Sequence, residues 1–174
     1  MATIPAVSLE QYLQTSYEQP VEYVDGVLQE KGMTGYSHGA VQGLLFKWFH
    51  DHRKQWLISC SLETHTRTSA TRVRLPDVVV IRRGTAPKHT IVEAPVLAIE
   101  VLSDWDKFSD LKARAKDLET MGTADIWLID PASRSASVWK ANSWIEIIET
   151  KLHSSVSDAF VDLEWLWAEL DDSQ

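Results

Sequence analysis

The chain has 174 residues, 44% of them hydrophobic, which is enough for one domain with a packed core and too apolar for a disordered chain. Its single cysteine, Cys60, excludes an internal disulfide and a cysteine-rich zinc site. A net charge of −8 argues at face value against nucleic acid, and no apolar run approaches the ~20 residues of a membrane helix.

The start, "MATIPAVSLEQYLQ", lacks a basic segment followed by an apolar run, so no leader peptide is expected. The chain is expected to be soluble, cytoplasmic and a single domain over 1–174. Ser8 and Gln11 have the spacing of a capping box before a short helix, "LEQYLQTSY". "VEYVDGVLQEKG" predicts a hairpin turning at Asp25-Gly26. In "AVQGLLFKWFHDH", Val41, Leu44, Leu45 and Trp48 recur at helical spacing, with Ser37 as the expected N-cap.

"WLISCSLETHTR" alternates, with Trp56, Ile58, Cys60 and Leu62 expected on one strand face. "DVVVI" and "PVLAIEVLS" are short apolar runs of the buried-strand kind. "DKFSDLKARAKDLETMG" predicts a helix closed by Gly122, with Phe108, Leu111, Ala115 and Leu118 as its buried seam. "ADIWLIDP" is a further buried strand stopped by Pro131, and "SASVWKANSWIEIIET" a hairpin around Ala141-Asn142. The tail "DAFVDLEWLWAEL" reads as helix. Apolar strands flanked by helices point to an α/β or α+β sheet covered on both faces.

Charge is unevenly spread. From Arg53 to Val92 eight basic residues stand against Glu63 and Asp77, whereas from Glu146 to Gln174 eight acidic residues stand against Lys151. The basic block is either a polyanion-binding face or a solvated strand surface.

Two carboxylates are out of place. Asp77 opens the run Val78-Val79-Val80-Ile81, and Glu100 sits among Ala98, Ile99, Val101 and Leu102. A buried carboxylate must find a partner, a proton or a metal. Taken singly, Glu100 reads as half of a salt bridge to an arginine and Pro76-Asp77 as turn chemistry at a strand start. Together, on two neighbouring strands, they form the oxygen-donor set that Mg²⁺ prefers, and phosphodiester hydrolysis uses such an ion. The histidines show no metal-ligand spacing, Ser103 lacks a nucleophile elbow, and no glycine-rich phosphate loop is present.

"LPDVVVI", "PVLAIEVLSDWD", "DLKARAKDLETMG" and "ADIWLIDP", in that order and preceded by "VEYVDGVL" and "SHGAV", resemble the Uma-type restriction endonuclease family of the PD-(D/E)XK nuclease superfamily. The resemblance spans about Val21 to Pro131. It implies a restriction-endonuclease-like core, a mixed sheet with helices on both faces and added hairpins. It further implies Mg²⁺, with Mn²⁺ as substitute, and double-stranded DNA as substrate. Asp77 and Glu100 then correspond to the metal ligands, with the Val101 carbonyl as a third. Glu22 corresponds to an acidic residue that approaches the metal or its water, and otherwise reads as a surface residue of the hairpin. His38 corresponds to the family's histidine at the start of the second helix, and otherwise reads as a polar residue of the first turn.

The pattern departs from the family in two places. The superfamily lysine two residues after the glutamate is Leu102 here, and the lysine and tyrosine of the following helix are Arg114 and Leu118. At about 100° per residue, Arg114 lies roughly 70° from the seam centre and Lys112 roughly 90° to the other side. Arg114 is therefore the first candidate for charge stabilisation and Lys112 the reserve, while a surface pair of Arg114 with Asp110 is the plain alternative. An arginine keeps the charge but cannot act as a base. The expected function is metal-dependent DNA cleavage, by a homodimer if both strands of a duplex are cut. One alternative is a weakened nuclease fold serving as a DNA-binding or protein-interaction module. Another is an interaction protein using Trp165 and Trp167 as a dimer contact.

Overall fold

The computed structural model describes residues 7–32 and 34–173; the first six residues, part of the stretch read for a leader, lie outside that range. Helix α1 (Leu9–Gln14) opens with the expected capping box, Ser8 and Gln11 each accepting the other's backbone N–H. Tyr12 is fully buried beneath it and donates to the Val21 carbonyl at 2.6 Å, tying the helix to the first hairpin. That hairpin pairs β1 (Val21–Val24) with β2 (Val27–Glu30). Its turn residues Asp25 and Gly26 have φ of 51° and 89°, the left-handed values that a two-residue turn demands and that these residue types tolerate. Two short strands, β4 (Thr66–Arg67) and β5 (Arg72–Arg74), complete a sheet of order β2-β1-β5-β4. They are too short to carry a readable alternation.

The main sheet contains β3 (Ile58–Leu62), β6 (Val78–Arg82), β7 (Leu97–Val101), β8 (Asp125–Asp130), β9 (Ser135–Lys140) and β10 (Ser143–Glu146). Their order is β10-β9-β8-β7-β6-β3. The β7–β8 pair is parallel and the others antiparallel. Parallel neighbours need a crossover, which is supplied by α3 (Phe108–Met121), closed at Gly122 with φ of 97°. Helices α2 (Tyr36–His52) and α4 (Leu163–Asp172) cover one face, packing Val41, Leu45, Phe49, Leu166 and Leu170 on Val80, Leu97, Ile99, Trp127 and Ile129. Helix α3 covers the other through Ala115 and Leu118 on Ala98 and Ile126. The expected mixed sheet with helices on both faces is therefore present.

Several local expectations change. The N-cap of α2 is Gly35, and Ser37 sits within the first turn. Trp56 precedes β3, and Leu62 is exposed because the apolar contact fades toward the strand end. Phe108 is exposed as the first residue of α3, a turn before Leu111 where the buried contact begins. "DAFVD" is not helical: β12 (Phe160–Asp162) pairs with β11 (Lys151–His153), and Asp162 then caps α4 by accepting from the Trp165 N–H. Trp165 packs against Trp48 at 4.5 Å between ring centroids, and Trp167 lies under the Arg134 guanidinium, so both are engaged within their own chain. Among the described residues no helix is long and apolar enough to cross a membrane.

Candidate active site

Strand register brings the two carboxylates together. β6 and β7 pair Val78 with Ile99 and Val79 with Ala98, so one step farther Asp77 faces Glu100. Alternation places both on the face covered by α3, since Glu100 shares parity with Ala98. Each is 1% exposed. The Asp77 carbonyl accepts from the Gln42 side chain, which pins the strand entry to α2.

The Asp77 carboxylate is densely held. Its Oδ2 accepts from the Val101 N–H at 2.7 Å and lies 3.3 Å from His38 Nε2. Its Oδ1 accepts from Lys31 Nζ at 2.7 Å. Burial opposes ionisation, but the Lys31 charge and the His38 contact outweigh it and hold the carboxyl well below the ordinary aspartate range. Glu100 is the reverse case. Burial, reinforced by the charges of Asp77 and Glu22 and only partly offset by Lys31 and Arg114, pushes its carboxyl up to about 8. Among the described residues Glu100 Oε1 is buried with no hydrogen-bond partner, and Oε2 lies 3.6 Å from Arg114 Nη1.

Arg114 points inward, as the helix geometry anticipates. Its Nε donates to Glu22 Oε2 and its Nη1 to Asp106 Oδ1, each at 3.3 Å. It is buried, so the plain alternative of a surface pair with Asp110 does not describe it. Glu22 is buried rather than at a hairpin surface. It accepts from the Leu75 N–H at 3.0 Å and from Arg74 Nη1 at 2.6 Å, and Arg74 is in turn clamped by Asp117. Lys112 is exposed on α3 and joins none of these contacts. Val101 touches the cluster through its N–H, and His38 through Asp77, while His38 Nδ1 is buried without a partner among the described residues.

Lys31, Arg74, Asp106 and Asp117 were not singled out from the sequence. Arg74 carried a signal, a basic residue alternating with Arg72 three positions before Asp77. Asp117 follows Arg114 by three, on the same helix face. Lys31 carried none, because "QEKG" at a hairpin end is ordinary surface sequence.

Two cavities flank the cluster. One of about 450 Å³ lies between the first turn of α2 and the Leu102–Trp105 loop, with His38 in its wall. The other, about 310 Å³, is lined by Glu22, Arg72, Arg74 and Arg114. The basic block does not surround the site. Arg72 and Arg74 are taken up in ion pairs, and the exposed Arg82 and Arg83 lie at the opposite end of β6 from Asp77.

Among the described residues no three His, Cys, Asp or Glu side chains form a ready cage for a metal. A facing carboxylate pair whose glutamate has an orphan oxygen suits instead a hard divalent cation that keeps several waters.

The family model Uma2, "Putative restriction endonuclease", matches residues 9–170. No curated protein matches the chain. The crystal structure of a putative nuclease belonging to DUF820 from Anabaena variabilis ATCC 29413 is similar, with a TM-score of 0.79 and 21% identity over 94% of this chain and 99% of that one. That likeness is one of fold. The cryo-EM structure of a DrdV–DNA complex is more distant, with a TM-score of 0.38 and 16% identity over 76% of this chain and 78% of that one.

Proposed function

The chain belongs to the Uma2 putative restriction endonuclease family, and on that premise we propose that it is a metal-dependent endonuclease hydrolysing DNA phosphodiester bonds. Asp77 and Glu100 would hold Mg²⁺, with Mn²⁺ able to replace it. The observation that carries the reading is the orphan Oε1 of Glu100, buried opposite Asp77 across two paired strands. A buried carboxyl oxygen without a donor is costly to keep, and a divalent cation would give it a partner.

When bound, such an ion polarises the phosphate and lowers the pKa of a water. The rest is the work of the chain. Asp77 stays ionised, and the Val101 N–H holds its carboxylate in one orientation. Glu100 is tuned to exchange a proton for a cation near neutral pH. Arg114 cannot give up its proton and is braced by Glu22 and Asp106, so it supplies a fixed positive charge beside Glu100. In the reaction the water oxygen bonds to phosphorus, the bond from phosphorus to the leaving oxygen breaks, and the leaving oxygen gains a proton as the attacking water loses one.

The test is cleavage of supercoiled plasmid with Mg²⁺ or Mn²⁺ by the wild type and by Asp77→Ala. Metal-dependent nicking that the variant lacks supports the assignment, and equal cleavage by both refutes it. One observation favours the alternative of a binding module, namely that both Asp77 oxygens already have partners. DNA retained in a binding assay without cleavage in either metal would decide for it.

A further inference from the structure

Lys31 lies one residue past the end of β2 and five before α2. A lysine on such a connector ordinarily lays its stem along the surface and keeps its ammonium in water. This one does the opposite. Its side chain is 7% exposed, and Nζ donates to Asp77 Oδ1 and to the Leu75 carbonyl, each at 2.7 Å. An ammonium has three N–H donors, so one remains beyond these two contacts.

Stability alone is a poor reason for this arrangement. A buried ion pair is often no better for the fold than an apolar pair of the same volume. Asp77 is already anchored by the Val101 N–H, by His38, and through its carbonyl by Gln42. What Lys31 adds is a positive charge at the carboxylate oxygen that these anchors leave free. Among the described residues, Glu100 Oε1 has no hydrogen-bond partner and Asp77 Oδ1 has only the ammonium. Asp77 and Glu100 would hold a divalent cation, and at Asp77 a cation of the chain itself already stands against the carboxylate.

Lys31 and Arg114 differ in how freely they can leave. The Arg114 guanidinium is held by three carboxylates, Glu22, Glu100 and Asp106. The Lys31 ammonium is a point charge on a flexible four-carbon stem, and the residue's backbone N–H donates to the Pro20 carbonyl at 2.9 Å beside the first hairpin. Only its side chain contacts Asp77, so leaving that carboxylate breaks no backbone hydrogen bond of the hairpin.

We propose that Lys31 is the catalytic ammonium of this site: it holds Asp77 Oδ1 in the absence of metal, yields that oxygen to a divalent cation, and then turns its N–H donors to the scissile phosphate. The catalytic half rests on the nuclease reading above; the competition with metal does not. Chemically, Lys31 donates to a non-bridging phosphate oxygen as negative charge accumulates there, and no bond to nitrogen is made or broken.

The experiment titrates the full chain with Mn²⁺ by calorimetry, for the wild type, Lys31→Met, Lys31→Gln and Lys31→Arg, and measures plasmid cleavage at saturating Mn²⁺. Removing a competing charge should tighten Mn²⁺ binding by at least about tenfold in both neutral variants and leave Lys31→Arg near wild type. Cleavage by the neutral variants should fall about 100-fold or more despite the tighter binding. Tighter metal with slower chemistry is a signature that a structural lysine does not give, since losing it would disorder Asp77 and weaken binding. Lys31→Gln retains a donor for the Leu75 carbonyl and serves as the test if Lys31→Met fails to fold. Neutral variants that bind Mn²⁺ no more tightly than wild type, or that cleave at its rate, overturn the proposal. A wild type that cuts nothing while the neutral variants gain Mn²⁺ affinity overturns the nuclease reading and the catalytic half. It upholds Lys31 as the occupant of the cation position.

Discussion

Replacing Glu100 with glutamine should flatten the pH dependence of stability of the metal-free protein. The Glu100 carboxyl is pushed up to about 8 from an ordinary 4.5, by burial first and by Asp77 and Glu22 after it. A folded-state pKa above the unfolded one means that the native protein keeps a proton the unfolded chain releases. Stability from this group is therefore complete below about pH 4.5 and is lost as pH rises through 8. At about 1.4 kcal/mol per pH unit, the span from pH 6 to 8 corresponds to roughly 2–3 kcal/mol. Asp77 works in the opposite sense, its depressed carboxyl contributing above the ordinary aspartate range and losing that contribution only in acid, so it is constant over this span. Glutamine resembles the protonated acid and does not titrate. Urea unfolding followed by tryptophan fluorescence in EDTA, from pH 6 to 9, should show the wild type losing about 2–3 kcal/mol and Glu100→Gln less than about 1 kcal/mol. Mn²⁺ at pH 9 should restore stability to the wild type alone. Parallel profiles for the two proteins would refute the claim that Glu100 is the strained carboxylate.

Two further outcomes follow from the same cluster, and a third from the proposed DNA substrate. Asp77→Ala leaves the buried Lys31 ammonium without its counter-ion and the Val101 N–H without its acceptor, and should cost about 3–5 kcal/mol in denaturant unfolding. Arg114→Met removes the cation shared by Glu22, Glu100 and Asp106, with a similar expected loss of about 3–5 kcal/mol; a loss below about 1 kcal/mol would mean that these contacts are not maintained in solution. DNA binding measured by fluorescence anisotropy in EDTA should weaken steeply with salt, since phosphate contacts release counterions; an affinity unchanged between low and physiological salt would argue against a backbone interface.

The sequence was most legible where one local rule acted alone. The capping box at Ser8, the Asp25-Gly26 turn and the Gly122 stop each need only a few residues, and each is found in place. The apolar runs marked β6, β7 and β8 because strands buried on both faces leave little room for polar residues, and that same rule made Asp77 and Glu100 visible. Arg114 was placed correctly by helix angle, but its three carboxylate partners come from β1, β7 and the loop before α3, contacts that helix periodicity does not encode. The register facing Asp77 with Glu100 depends on β6 lying beside β7, which two apolar runs can suggest but not fix. Lys31 was invisible because its contact with Asp77, 46 residues away, is set by tertiary packing, and nothing in "QEKG" separates that from a solvated loop. "DAFVD" misled through its proximity to a true helix, since three strand residues are too few to show a period of two.

Asp77 and Glu100 are the proposed metal-dependent phosphodiesterase centre. Its most direct test is supercoiled plasmid incubated with Mg²⁺ or Mn²⁺ and the wild type, Asp77→Ala or Glu100→Gln, each first confirmed to be folded. Nicking or linearisation by the wild type is expected, abolished by EDTA and by either substitution. Cleavage that persists in both variants, or a folded wild type that leaves the plasmid intact in both metals, would contradict it.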